Sequence, residues 1–170
     1  MELAEQLKQD GIAKGLCRQY QMKLKPGMPV GDMVKLFIHG IDFCVKNDYP
    51  TLEFMREHFK GESEPYGAFI DDVVTGLKNA PDTVLNGECK AMLEYNGYSV
   101  SRVYIRHQSK VSVSVSGNAI VTIDVFDNSY LAVAVAGTDA KVIVNQYGDS
   151  SKVECFGNGI THNLINKKTY

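Results

Sequence analysis

The stretch Lys110-Val-Ser-Val-Ser-Val-Ser-Gly-Asn-Ala-Ile-Val-Thr-Ile-Asp-Val-Phe-Asp-Asn-Ser-Tyr-Leu-Ala-Val-Ala-Val-Ala-Gly137 decides the fold. Apolar residues alternate with small or polar ones, and the pattern returns every ten residues. It extends backwards through Val103 and Ile105 to Leu93 and Tyr95, and forwards to Val142 and Val144. Val111, Val121 and Leu131 join the same set two positions earlier in their copies. Turn chemistry closes the segments at one phase, at Asn96-Gly97, Ser116-Gly117, Asp127-Asn128 and Ala136-Gly137. The register then slips by one at Val142 and Val144, and by one more at Val153 and Cys155.

Alternation of this kind places one set of side chains on one face of a strand. The inward set is mostly β-branched, which suits a pleated, half-buried surface. A fixed short period has two solutions: an antiparallel meander with tight turns, or a β-solenoid that stacks like residues on successive coils. Two-residue hairpins favour Asn-Gly or Asp-Gly, and only Asn96-Gly97 fits cleanly. Arg106-His107 and Asp127-Asn128 do not. The expected architecture is therefore a short-coil β-solenoid with about twenty residues and two strands per coil, the meander being the alternative.

Working outward, the 170 residues suffice for one domain or two small ones, and a hydrophobic share of 44% supports a real core. Net charge is -2. Splitting the chain at Ala80 leaves ten basic and twelve acidic residues before it, and eight of each after it. Neither half is a basic module, so no nucleic-acid partner is expected. The N-terminus lacks a basic, then apolar, leader, and no run reaches the length of a membrane span, so a soluble, cytoplasmic protein without membrane association is expected. Cys17, Cys44, Cys89 and Cys155 form no CxxC pair and read as free thiols. No metal and no cofactor are expected.

Ahead of the repeat the chain reads as helical. A stripe of Leu3, Leu7, Ile12, Leu16 and Tyr20 predicts a helix over 2–24, with Gly11 and Gly15 marking a kink or a close contact. Pro26-Gly27-Met28-Pro29 ends it. A second helix is predicted over 32–46 and a third over 51–59, separated by Asn47-Asp48-Tyr49-Pro50. Residues 61–90 are ambiguous, with a first rung expected at Val84-Leu85. The polar tail from Gly157 to Tyr170 is expected to cap the stack or fray. The predicted class is α+β: a helical subdomain over 1–80 for docking or oligomerisation, then a β-repeat domain over 81–170.

No catalytic motif is present, and the chain does not read as an enzyme. His39 and Asp42 share a helical face, but Cys44 lies five positions from His39, a poor spacing for a Cys–His pair. Asp71-Asp72 is a carboxylate pair without a third ligand. The strongest binding candidates are Arg102, Tyr104 and Arg106, which alternate with Val103 and Ile105 and are expected on one outward face with Lys110 and Tyr130 nearby. Arg and Tyr together suit phosphate, a nucleotide or an acidic partner.

The ten- and twenty-residue rhythm closed by Gly or Asn resembles the short-coil β-solenoids of head-GIN-type putative adhesin domains over residues 90–156. The stretch from Gly40 to Phe54, followed by the β repeat, is similar to small uncharacterised proteins of phages and mobile elements. Neither resemblance implies an activity or a residue role. The expected function is a non-enzymatic interaction or structural protein, a homo-oligomer with a rigid β platform. The alternative is a sequestering protein for a small anionic ligand such as a nucleotide. A protein partner or such an anion is the expected class of binding partner.

Overall fold

The structure, a computed structural model, describes all residues from Met1 to Tyr170. The chain divides into two compact units, Met1–Ala68 and Phe69–Thr169.

Alternating β-branched residues form strands throughout the second unit. The strands are β1 (Ala68–Ile70), β2 (Val73–Lys78), β3 (Asp82–Asn86), β4 (Lys90–Tyr95), β5 (Val100–Ile105), β6 (Lys110–Val115), β7 (Ile120–Val125), β8 (Tyr130–Val135), β9 (Lys141–Tyr147), β10 (Lys152–Phe156) and β11 (Ile160–Ile165). Odd strands form one sheet in the order β1-β3-β5-β7-β9-β11, and even strands form a second in the order β10-β8-β6-β4-β2. Every pairing joins strands two apart in sequence, and the pairings from β2 and β3 onward are parallel. This is a parallel β-solenoid and excludes the meander. Its first rung lies ahead of Val84-Leu85, in β1 and β2, so the second unit begins before residue 80.

The ten-residue rhythm of the sequence is the alternation between the two sheets. Like positions stack at a twenty-residue offset: Lys90 opposite Lys110, Lys110 opposite Tyr130, Val100 opposite Ile120. The register slips are longer coils, with Ile120 opposite Lys141 and Tyr130 opposite Lys152. Inward rows such as Val103, Ile123 and Val144 are fully buried, as are Leu131 and Val133 facing them. Each buried aliphatic side chain contributes roughly 1.5–3 kcal/mol by leaving water.

The corners explain why hairpin chemistry was absent. A two-residue hairpin of type I′ needs two successive residues at positive φ. Each corner here uses one such residue in a fixed place, and the corner between β10 and β11 adds a second, non-adjacent one at Gly159. After odd strands it is Asp71, Gly87, His107, Asp127 and Gly148; after even strands it is Asn79, Gly97, Gly117, Gly137 and Gly157. Non-glycine residues at these sites bond to the neighbouring coil, which offsets their left-handed backbone. The Asp71 carboxylate accepts from the Glu88 N–H (2.8 Å), His107 Nδ1 accepts from the Gly87 N–H (2.9 Å), and the Asp127 carboxylate accepts from the His107 N–H (2.8 Å). Asn79 exchanges two bonds with Asn96, each 2.8 Å.

The first unit holds α1 (Leu3–Ala13), α2 (Arg18–Lys23), α3 (Val30–His39), α4 (Ile41–Asn47), α5 (Leu52–His58) and a 3-10 turn at Glu64–Tyr66. The helix expected over 2–24 is two helices, because Gly15 adopts φ +87 and ends the first. The one expected over 32–46 breaks at Gly40. Gly11 supplies a close contact: a Cβ there would lie 2.9 Å from the Tyr49 hydroxyl, which donates to the Leu7 carbonyl. Lys14 Nζ donates to the carbonyls of Asn47 (2.6 Å) and Asp48 (3.0 Å), satisfying the end of α4. Thr51 caps α5 by accepting from the Phe54 N–H (3.3 Å).

Candidate functional site

The expected outward patch divides between the two sheets. Arg102 and Tyr104 lie on β5 and Arg106 follows it, whereas Lys110 and Tyr130 are register partners on β6 and β8. Arg102 is exposed, its guanidinium 2.9 Å from the Asp82 carboxylate. Tyr104 is buried, at 7% exposure, and Arg106 at 3%. Arg106 donates to the Asn86 side-chain carbonyl at 3.0 Å. Alternation placed Arg102 and Tyr104 on one face but carried no information on what covers it. The strand also ends at Ile105, so Arg106 begins a corner and no longer obeys the alternation.

On the even sheet, Lys90, Lys110, Tyr130 and Lys152 stack in one outward row. The Tyr130 hydroxyl donates to the Glu154 carboxylate at 2.5 Å, and Lys152 Nζ lies 3.2 Å from the same carboxyl group. The Tyr130 hydrogen bond, with help from Lys152, holds the Glu154 carboxyl below its ordinary range, and the same bond raises the Tyr130 hydroxyl. The Tyr130 hydroxyl is thus engaged by a neighbouring strand.

His39 and Asp42 are exposed and Cys44 is buried. Asp71 and Asp72 serve local backbone: Asp71 accepts from Glu88, and Asp72 from the Ile70 N–H (2.9 Å). No group of three or more His, Cys, Asp or Glu side chains is arranged to hold a metal ion. No helix is long and apolar enough to cross a membrane.

The feature with an unsatisfied surface is the last coil. β10 pairs only with β8, and β11 only with β9, so each leaves one edge unpaired. Register places Val153 and Cys155 over buried Leu131 and Val133, and Ile160, His162 and Leu164 over Val142, Val144 and Gln146. These are core positions without a coil above them. Leu164 is 76% exposed, and Cys155 is exposed, whereas their partners Gln146 and Val133 are buried. The interior also turns polar here. Gln146 Nε2 donates to the Ser151 carbonyl (2.8 Å) and hydroxyl (3.0 Å), while its oxygen lies 2.8 Å from His162 Nε2.

The tail expected to cap or fray forms β11. Its signal was the alternation of Ile160, His162 and Leu164, masked because two glycines and a shorter coil break the phase. Gly157 and Gly159 both have positive φ, and a Cβ on either would run into the carbonyl oxygen of Val135 or Ala140. Native edge strands are usually blunted by lysine, proline or an inward charge. The strand Ile160-Thr-His-Asn-Leu-Ile165 carries no lysine, proline or carboxylate.

The fold and this surface define the class: a parallel β-solenoid preceded by a unit of short helices. Comparison of the chain with protein-family models, with curated proteins and with solved structures returned no match.

Proposed function

We propose that the chain is a non-enzymatic interaction protein, a stiff scaffold that self-associates by pairing the open end of its solenoid with the same end of a second copy. The observation that carries this is the exposure of core-row residues, above all Leu164, on the β11 edge, which unlike β10 with its Lys152 and Glu154 carries no blunting residue. A second copy suits that end because an unpaired strand matches itself: a two-fold axis sets β11 antiparallel to its copy and covers both apolar ends at once. Four cysteines outside any disulfide suit a reducing, intracellular setting for such a scaffold. An anion-binding role would rest on Arg102 and, on the other sheet, Lys110, since Tyr104 and Arg106 are buried and the Tyr130 hydroxyl is bonded to Glu154.

Light scattering tests the proposal directly. The wild-type chain is expected to weigh twice its 18.8 kDa. Leu164→Lys is expected to give a monomer with an unchanged circular dichroism spectrum. In a Cys17→Ser background, a short bismaleimide is expected to join two copies through Cys155. A wild-type monomer at high concentration, or a dimer that survives Leu164→Lys without Cys155 cross-linking, overturns the proposal.

A further inference from the structure

The helical unit contains a cavity of about 260 Å³, bounded by residues of α1 to α4, the loops between them, and Phe59. Among its walls are Leu16, Cys17, Tyr20, Leu36, Phe37 and Phe43. The full lining includes no Asp, Glu, Lys, Arg or His. We infer that this cavity is a binding site for a small uncharged, largely apolar molecule of roughly ten non-hydrogen atoms, the size scaled from a cavity of about 150 Å³ that holds benzene.

The absence of charge selects the ligand. An ion entering this wall would lose its hydration without meeting a counter-charge among the lining residues, a penalty of several kcal/mol or more. The exposed Lys23, which lies 4.8 Å from the Tyr20 ring centroid, is no part of that lining. A neutral apolar molecule loses only unfavourable contact with water. Ligand sites generally combine an apolar wall with one or two oriented polar groups. Of the two tyrosines in the wall, Tyr49 already donates to the Leu7 carbonyl. Tyr20 is half-buried, and its hydroxyl can meet a single hydroxyl or carbonyl of the ligand. Gly40 leaves room for the Tyr20 ring, because a Cβ there would lie 3.2 Å from it. The volume is too small for the three or four side chains by which a docked helix is held, so a peptide does not fit.

Cys17 is exposed and Cys44 buried, both in the wall, so Cys17 reports on the mouth. The test uses 1-naphthol as a fluorescent probe on the full chain. Expected results are saturable binding at one site per chain, displacement by 1-octanol, and at least tenfold weaker displacement by octanoate or octylamine. Bound 1-octanol is expected to slow modification of Cys17 at least fivefold. Leu36→Trp, which fills the half-buried rim, is expected to weaken the probe at least tenfold. Absence of saturable binding, equal displacement by octanoate, or a Cys17 rate unaffected by ligand overturns the inference. The Cys17 readout needs no substitution, so it stands even if the tryptophan variant misfolds. The site lies in the helical unit, so its failure leaves the proposal about the solenoid's end untouched.

Discussion

A Cβ placed on Gly117 would lie 2.9 Å from the backbone nitrogen of Gly97, the equivalent corner residue of the preceding coil. Successive corners stack backbone on backbone, with the Asn118 N–H donating to the Gly97 carbonyl at 2.8 Å. Both glycines have positive φ, +61 for Gly97 and +63 for Gly117, but nothing lies within 4 Å of a Cβ on Gly97. Gly97→Ala should therefore lose only the left-handed penalty of about 1–2 kcal/mol. Gly117→Ala should lose that and the clash as well. Urea unfolding of the two variants measures the difference, and equal losses would show that the coils do not stack this closely.

Arg106 belongs to the fold. Removing it leaves the buried Asn86 side chain short of a partner, so Arg106→Ala should destabilise by about 1–3 kcal/mol or more. Arg102→Ala removes a surface pair with Asp82 and should change stability by about 1 kcal/mol or less. Thermal unfolding separates the two. A large loss for Arg102 and none for Arg106 would reverse their assigned places.

Ile123 sits at the centre of the solenoid core with no exposure. Ile123→Ala should lose about 2–5 kcal/mol. Ile120→Ala, at a partly exposed outward position on the same strand, should lose far less. Comparable losses would contradict the inward and outward assignment of β7.

Thiol chemistry should divide the four cysteines. Cys17 and Cys155 are exposed and should react with a thiol reagent in the native protein, while Cys44 and Cys89 should wait for unfolding. Burial raises the thiols of both Cys89 and Cys155, so accessibility rather than ionisation separates their rates. Mass spectrometry after brief labelling reads the outcome directly.

Alkaline pH should loosen the helical unit. Burial, with Cys44 and Asp10 adding to it, raises the Tyr49 hydroxyl well above its ordinary value of 10.0. A raised folded pKa contributes stability that is complete below the unfolded value and is lost as pH rises beyond it. Stability should thus fall above about pH 10, where the unfolded tyrosine ionises first. Tyr49→Phe should be less stable at neutral pH, through loss of the bond to Leu7, yet show a shallower decline. A decline as steep as wild type would assign the effect to another buried tyrosine, such as Tyr95.

The valine and isoleucine rows were legible because strand alternation is a local property: residues two apart must share a face whatever lies around them. The ten-residue return located the corners, and the failure of Arg106-His107 and Asp127-Asn128 to make hairpins pointed to winding. Helix breaks at Gly15 and Gly40 were less legible, since one glycine only weakens a helix and packing decides whether it ends. Periodicity also lost β1, β2 and β11, where short coils, a bulge near Gly76 and paired glycines disturb the phase.

The sequence by itself determined that a β-branched ladder winds through the second half of the chain, because alternation and turn phase are written residue by residue. Only the tertiary structure decided which outward residues are covered and which core residues are left bare. Tyr104 and Leu164 both lie on well-formed strands. One is buried and the other open to water because burial depends on what stacks above and beside a strand, which no local pattern encodes.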